Sequence, residues 1–144
     1  MPTSASLVRL LAAAFLAIVV AGCGSGKAPL APVRGKVYYR GAPLPGGTIV
    51  FTPDESRGGN GPLARSEIQP DGAFTLRTGD QPGAAAGWYR ITVVAVEPSP
   101  VLAAGQRFAA PRSLLPDKYR DPELSGLRCE VRPGRENGFN FNLE

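Results

Sequence analysis

The sequence predicts an all-β protein, an antiparallel sandwich of seven short strands, and three observations carry that prediction. Apolar and polar residues alternate with a period of two in one segment after another. Glycine and proline, 18 and 15 of 144 residues, fall largely between those segments, where turns need them. No long stretch shows the 3.6-residue periodicity of an amphipathic helix.

The expected elements follow in order. Val33, Gly35, Val37 and Tyr39 alternate with Arg34, Lys36, Tyr38 and Arg40, which makes a first strand with one apolar face. Residues 48–52 are β-branched and aromatic, with Ile49 and Phe51 sharing a face. Residues 63–68 form a weaker third strand. Pro70-Asp71-Gly72 is a tight turn, because Asp and Gly accept the backbone angles it requires. Phe74 and Leu76 then point one way, Thr75 and Arg77 the other. Residues 88–96 are the strongest strand, with Tyr89, Ile91, Val93 and Ala95 facing the core. Residues 127–131 form the sixth, and Phe139, Phe141 and Leu143 alternate with asparagines in the seventh. Helix is limited to a turn at Asp121-Pro122-Glu123, where Asp caps and Pro takes the first position.

Ahead of the strands stands a different kind of segment. Residues 10–21 are apolar, Arg9 precedes them, and they end in Val20-Ala21-Gly22-Cys23. A membrane-spanning helix needs about 20 apolar residues; this run has the shorter length of a signal-peptide core. Small residues just before a cysteine are the pattern of a bacterial lipoprotein leader. The expected organisation is therefore a signal peptide over residues 1–22, a lipidated tether over 23–32 with the lipid on Cys23, and a β domain over 33–144. The tether is short and rich in small residues and proline. Two or more acyl chains on Cys23 would hold such a protein stably at a membrane, where one alone binds marginally. The expected location is an exported, membrane-anchored lipoprotein, facing the periplasm or the cell surface.

Composition narrows the function classes. The net charge is +4, from 16 basic and 12 acidic residues. The basic residues are scattered singly along the chain, with no basic run or helix, so nucleic acid is not an expected partner. With Cys23 lipidated, Cys129 stands alone. It alternates with charged neighbours and shares its face with Leu127 and Val131, so it is expected to be a buried, inert thiol.

The opening Val33-Arg34-Gly35-Lys36-Val37, with the later Gly41-Ala42-Pro43-Leu44-Pro45-Gly46-Gly47-Thr48-Ile49-Val50-Phe51, resembles a carboxypeptidase-regulatory-like domain. Asp71-Gly72-Ala73-Phe74-Thr75-Leu76 and Gly87-Trp88-Tyr89-Arg90-Ile91-Thr92-Val93 extend the likeness. It covers residues 33–96 well and the last two strands loosely. Leu115-Pro116-Asp117-Lys118-Tyr119 and Ser125-Gly126-Leu127 add a similarity to small lipoproteins of planctomycete-type bacteria that carry this domain alone. The resemblance implies a Greek-key, transthyretin-like sandwich. It implies no chemistry, since its motifs are turn glycines and core positions.

Nothing in the chain composes a catalytic constellation. There is no histidine, which removes the commonest general base, the usual triads and histidine-bearing zinc sites. One enzymatic relative of the fold, hydroxyisourate hydrolase, builds its site from histidines, an arginine and a terminal Tyr-Arg-Gly-Ser; this chain departs from that pattern throughout. Asp117, Asp121 and Glu123 are the nearest carboxylate cluster, and Lys118 and Arg120 balance them. Asp54, Glu55, Asn60, Asp71 and Asp80 lie in predicted loops where oxygen ligands could gather a calcium ion, but turn chemistry already accounts for Asn60 and Asp71. No catalytic residue, metal or cofactor is assigned.

Two features bear on binding, although isolated surface aromatics are also normal in a sandwich. Trp88 falls on the face opposite Tyr89 and Ile91. The long stretch 97–126 lacks a convincing strand yet carries Phe108, Leu114, Leu115, Tyr119 and Leu124. Such loops are uncommon in compact domains unless functional. Trp88, Leu115 and Tyr119 are the candidate interaction surface, with packing of Leu115 and Tyr119 onto the sandwich as the favoured alternative. The expected role is a non-enzymatic, structural or protein-interaction module, with carbohydrate or small-ligand binding as the other reading. Its partners would be the membrane, through the anchor, and an envelope protein or glycan.

Overall fold

The computed structural model describes residues 28–97 and 110–144. The expected leader, Cys23 and Phe108 lie outside the described residues. Among the described residues there is no α-helix; twelve strands alternate with turns and two 3₁₀ turns, Glu55–Arg57 and Asp117–Arg120. The strands are β1 (Leu30–Ala31), β2 (Val33–Tyr39), β3 (Ala42–Pro43), β4 (Thr48–Pro53), β5 (Ala64–Glu67), β6 (Ala73–Thr75), β7 (Arg77–Thr78), β8 (Gln81–Pro82), β9 (Ala84–Ala85), β10 (Gly87–Val94), β11 (Arg128–Val131) and β12 (Asn137–Leu143). The all-β expectation holds.

Six strands make the larger sheet, in the order β11-β10-β4-β5-β7-β8. All its pairings are antiparallel, and β10 and β4 form its longest ladder, Tyr89 opposite Pro53 through Val94 opposite Thr48. The smaller sheet sets β2 at its centre, with β12 on one side and β3 and β6 on the other. Here the structure departs from an all-antiparallel arrangement. β12 runs parallel to β2 over its whole length, from Asn137 opposite Val33 to Leu143 opposite Tyr39. The turn at residues 132–136 carries the chain out of the larger sheet, so the last strand enters the smaller sheet in the same direction as the first.

The alternation read from the sequence explains the core. Ile49, Phe51, Tyr89, Ile91 and Val93 of the larger sheet are buried, as are Val33, Val37, Phe74, Phe141 and Leu143 of the smaller. Phe51 sits at the centre. Its ring lies 5.8–6.3 Å from those of Tyr89, Phe141, Phe74 and Phe139, so one aromatic side chain ties both sheets together. Gly35 is what lets the smaller sheet close around it. A Cβ there would overlap the Phe139 carbonyl and stand 2.9 Å from Phe74 Cζ.

Two boundaries move from their expected places. Leu30 and Ala31, assigned to the tether, pair with Ala85 and Ala84, and Ala31 joins the core. Ordered structure thus starts before residue 33, because two small apolar residues complete a ribbon. The helical turn expected at Asp121-Pro122-Glu123 falls instead just before it, at Asp117–Arg120. Asp121 follows it, and its Oδ1 accepts from the Glu123 and Leu124 N–H groups at 2.7 and 3.3 Å, so the expected capping is present as a side-chain turn.

Candidate functional site

The described part of the 97–126 stretch lies along β10. Glu97 N–H donates to Arg112 O at 2.8 Å and Leu114 N–H to Ala95 O at 2.9 Å, continuing the sheet edge beyond β11. Leu115 and Tyr119 are each 4% exposed and belong to the core. The Tyr119 hydroxyl accepts from Glu144 N–H at 2.8 Å and lies 3.2 Å from Glu144 O, bridging this segment to the end of β12. Leu115 and Tyr119 therefore do not form an interaction surface with Trp88. Of the apolar residues of this stretch that the structure describes, Leu114, Leu115 and Tyr119 pack against the sandwich while Leu124 stays exposed.

Trp88 remains at the surface, half-buried, on the outer face of β10. A polar network beneath it sets its place. Asp54 N–H donates to Trp88 O at 2.8 Å, and Asp54 O accepts from Arg57 and Gly59 N–H. The Asp54 carboxylate, 1% exposed, accepts from Ser56 Oγ at 2.6 Å and from Arg90 Nη2 at 2.9 Å. The Arg90 guanidinium also pairs with Glu123, which pins the 97–126 segment to β10. Arg57 lies 4.8 Å over the Trp88 ring, a cation–π contact. The Arg90 hydrogen bond first, then that of Ser56, holds the Asp54 carboxyl down at about 2 from an ordinary 3.8. Asp54 is therefore a permanent anion at neutral pH and a poor proton acceptor.

The other expected carboxylates are also occupied. Asp71 accepts from Ala73 N–H at 3.1 Å and pairs with Lys36 at 3.3 Å, and both contacts lower its pKa. The loop carboxylates that could have held calcium are not brought together: among the described residues no three of His, Cys, Asp and Glu gather at metal-ligand distance. Cys129 is buried, and burial pushes its thiol up to about 12.

Trp88 opens onto a feature the linear sequence disperses. β11 and β12 are the terminal strands of their sheets on the same side of the sandwich. Between them lies an open depression of about 430 Å³, lined by Trp88, Arg128, Glu130, Arg132, Arg135 and Phe139 among others. Asn137 shapes it. This buried side chain takes Arg132 N–H on its Oδ1 at 2.9 Å and donates Nδ2 to Arg132 O and Arg135 O, each at 3.0 Å. One amide thus holds the backbone of the Arg-Pro-Gly-Arg turn, whose two arginines line the depression. A second open depression, of about 580 Å³, lies on the outer face of the smaller sheet, with Arg34, Lys36, Tyr38 and Asn140 in its wall. Gly138 and Phe139 line both. Arginines spaced singly in sequence are thereby gathered in space. The available signal was the run Arg128, Arg132, Arg135 astride the last turn.

No family model, curated protein or solved structure matches the chain.

Proposed function

We propose that this protein is a non-enzymatic, lipid-anchored β-sandwich of the cell envelope that works as a structural or protein-interaction module. The observation that carries it is Val20-Ala21-Gly22-Cys23 directly after the short apolar run of residues 10–21. The domain is taken as a seven-strand Greek-key sandwich of the carboxypeptidase-regulatory-like type. The residue-level likeness over 33–96 and the two face-to-face sheets support this. A non-catalytic role is favoured by a chain without histidine, by an Asp54 held ionised by Arg90, and by a thiol sealed in the core. Incorporation of labelled palmitate tests the anchor. Wild type should take up label and fractionate with membranes, and Cys23→Ser should do neither; equal labelling of the two refutes it.

A second reading, carbohydrate or small-ligand binding at the surface, is favoured by the open depression beside Trp88. Pull-down from native membranes against a glycan array separates the two. A protein partner retained without glycan binding supports the first, and glycan binding alone supports the second.

A further inference from the structure

We propose that the two depressions meeting at Gly138 form one trough that binds a polysaccharide bearing anionic substituents. The inference deepens the second reading above and rests on it. The trough starts beside Trp88, passes round β12 at Gly138 and Phe139, and ends at Tyr38 on the outer face of the smaller sheet. Each half falls in the usual volume range of ligand sites, about 300–1,000 Å³.

Charge is the first argument. Five cations, Arg34, Lys36, Arg128, Arg132 and Arg135, face the trough, with Glu130 the one acid in its wall among the described residues. Arg128 and Arg135 have no carboxylate within 4 Å among the described residues, whereas Arg34, Lys36 and Arg132 pair with Glu136, Asp71 and Glu130. Those three pairs are solvent-exposed and therefore weak, so they exchange readily for a ligand carboxylate or sulfate. Guanidinium groups suit such anions because they donate two parallel hydrogen bonds.

Direction is the second argument, and it decides between a glycan and a peptide. An acidic peptide binding by strand addition would lie along an edge and use its backbone groups. The half beside Trp88 lies between the edge strands β11 and β12, but the other half crosses β12, β2 and β6, where the groups on offer are mostly side chains and no single added strand could follow the whole trough. In register across it stand Gly138, Arg34 and Thr75, then Asn140, Lys36 and Ala73. Half-buried rings at its two ends, Trp88 and Tyr38, supply apolar faces for pyranose C–H groups, and the amide of Asn140 supplies a hydroxyl partner between them.

Gly138 gives the test its leverage. A Cβ there meets nothing within 4 Å, so a side chain can start from this position, and Gly138→Leu places apolar bulk in the passage without changing charge. Binding of the full chain, in neutral detergent, is measured by calorimetry against polygalacturonate, dextran sulfate, neutral dextran, poly-glutamate and single-stranded DNA. The expected result is at least tenfold tighter binding of an anionic glycan than of dextran, poly-glutamate or DNA. Gly138→Leu and the pair Arg128→Gln/Arg135→Gln should each weaken it at least tenfold, with melting temperatures unchanged. Dextran binding as tightly as the anionic glycans overturns the charge argument and leaves the carbohydrate reading standing. No glycan binding at all removes both. Poly-glutamate or DNA binding as tightly as the glycans, or glycan binding indifferent to Gly138→Leu, reduces the trough to a general anion exchanger and overturns the proposal. Should Gly138→Leu melt early, the arginine pair decides alone, by whether anionic glycan falls to the dextran level.

Discussion

Replacing Asn137 with alanine should cost this domain more than a surface substitution, and the structure sets how much. The side chain makes three hydrogen bonds to the 132–136 turn, at 2.9, 3.0 and 3.0 Å. Its orientation is the one that satisfies all three, since two carbonyls need donors and one N–H needs an acceptor. Each such bond contributes about 0.5–1.5 kcal/mol net. Arg132 and Arg135 are exposed, so water recovers part of the loss at their backbone groups. The expected destabilisation is about 1.5–3 kcal/mol, or roughly 6–12 °C at about 4 °C per kcal/mol for a domain of this size. Thermal melting followed by circular dichroism measures it, and hydrogen exchange at Arg132 N–H should accelerate in the same variant. Asn137→Asp separates bonding from packing. It keeps the acceptor but turns an oxygen toward two carbonyls, so it should melt no higher than the alanine variant. A midpoint within about 1 °C of wild type for alanine would refute the staple. An aspartate variant as stable as wild type would show that the two donor bonds carry nothing.

Two further predictions concern stability. Leu115→Ala, at a side chain 4% exposed within the core, should lower stability by about 2–5 kcal/mol in a denaturant or thermal melt, as core truncations do; an unmoved midpoint would return this segment to the candidate interface. Asp54, pulled by Arg90 and Ser56 to about 2 from 3.8, binds its proton less readily folded than unfolded. Its stabilisation is then fully present above about pH 4 and lost as pH falls toward 2. The melting midpoint should drop across that window, and Asp54→Asn should start lower at neutral pH and drop less; parallel curves would contradict the Arg90 pairing.

What the sequence made legible is what short-range periodicity encodes. Val33 and Val37, Ile49 and Phe51, Tyr89, Ile91 and Val93, Phe141 and Leu143 alternate with polar residues, and a period of two leaves little choice about which side faces the core. Cys129 was readable by the same rule. The parallel pairing of β2 with β12 was not. Register between the first and last strands depends on where the intervening chain crosses between sheets, and no local pattern reports that. The first strand pair was missed because Leu30-Ala31 lies among glycines and prolines that look like linker, and its partner Ala84-Ala85 has no alternation to read.

The candidate site was hidden for a related reason. A scan for basic runs finds cations that are neighbours in sequence, whereas a sandwich makes neighbours of residues on adjacent strands and at matching strand ends. Arg34 and Arg135 are distant in the chain, yet β12 lies against β2 from the residue after Glu136, with Asn137 opposite Val33 and Gly138 opposite Arg34. Arg128 and Arg132 bracket β11 on the facing edge. Their convergence follows from the parallel register that the sequence did not disclose, so one undetected pairing concealed both the topology and the trough. Trp88 was found because its face is a local property; what it faces is a property of the fold. The same logic explains why Leu115 and Tyr119 could be read from the sequence either as core or as an interface. Irregular apolar spacing signals that burial is required without saying where, and the open flank of β10 beyond β11 provided it.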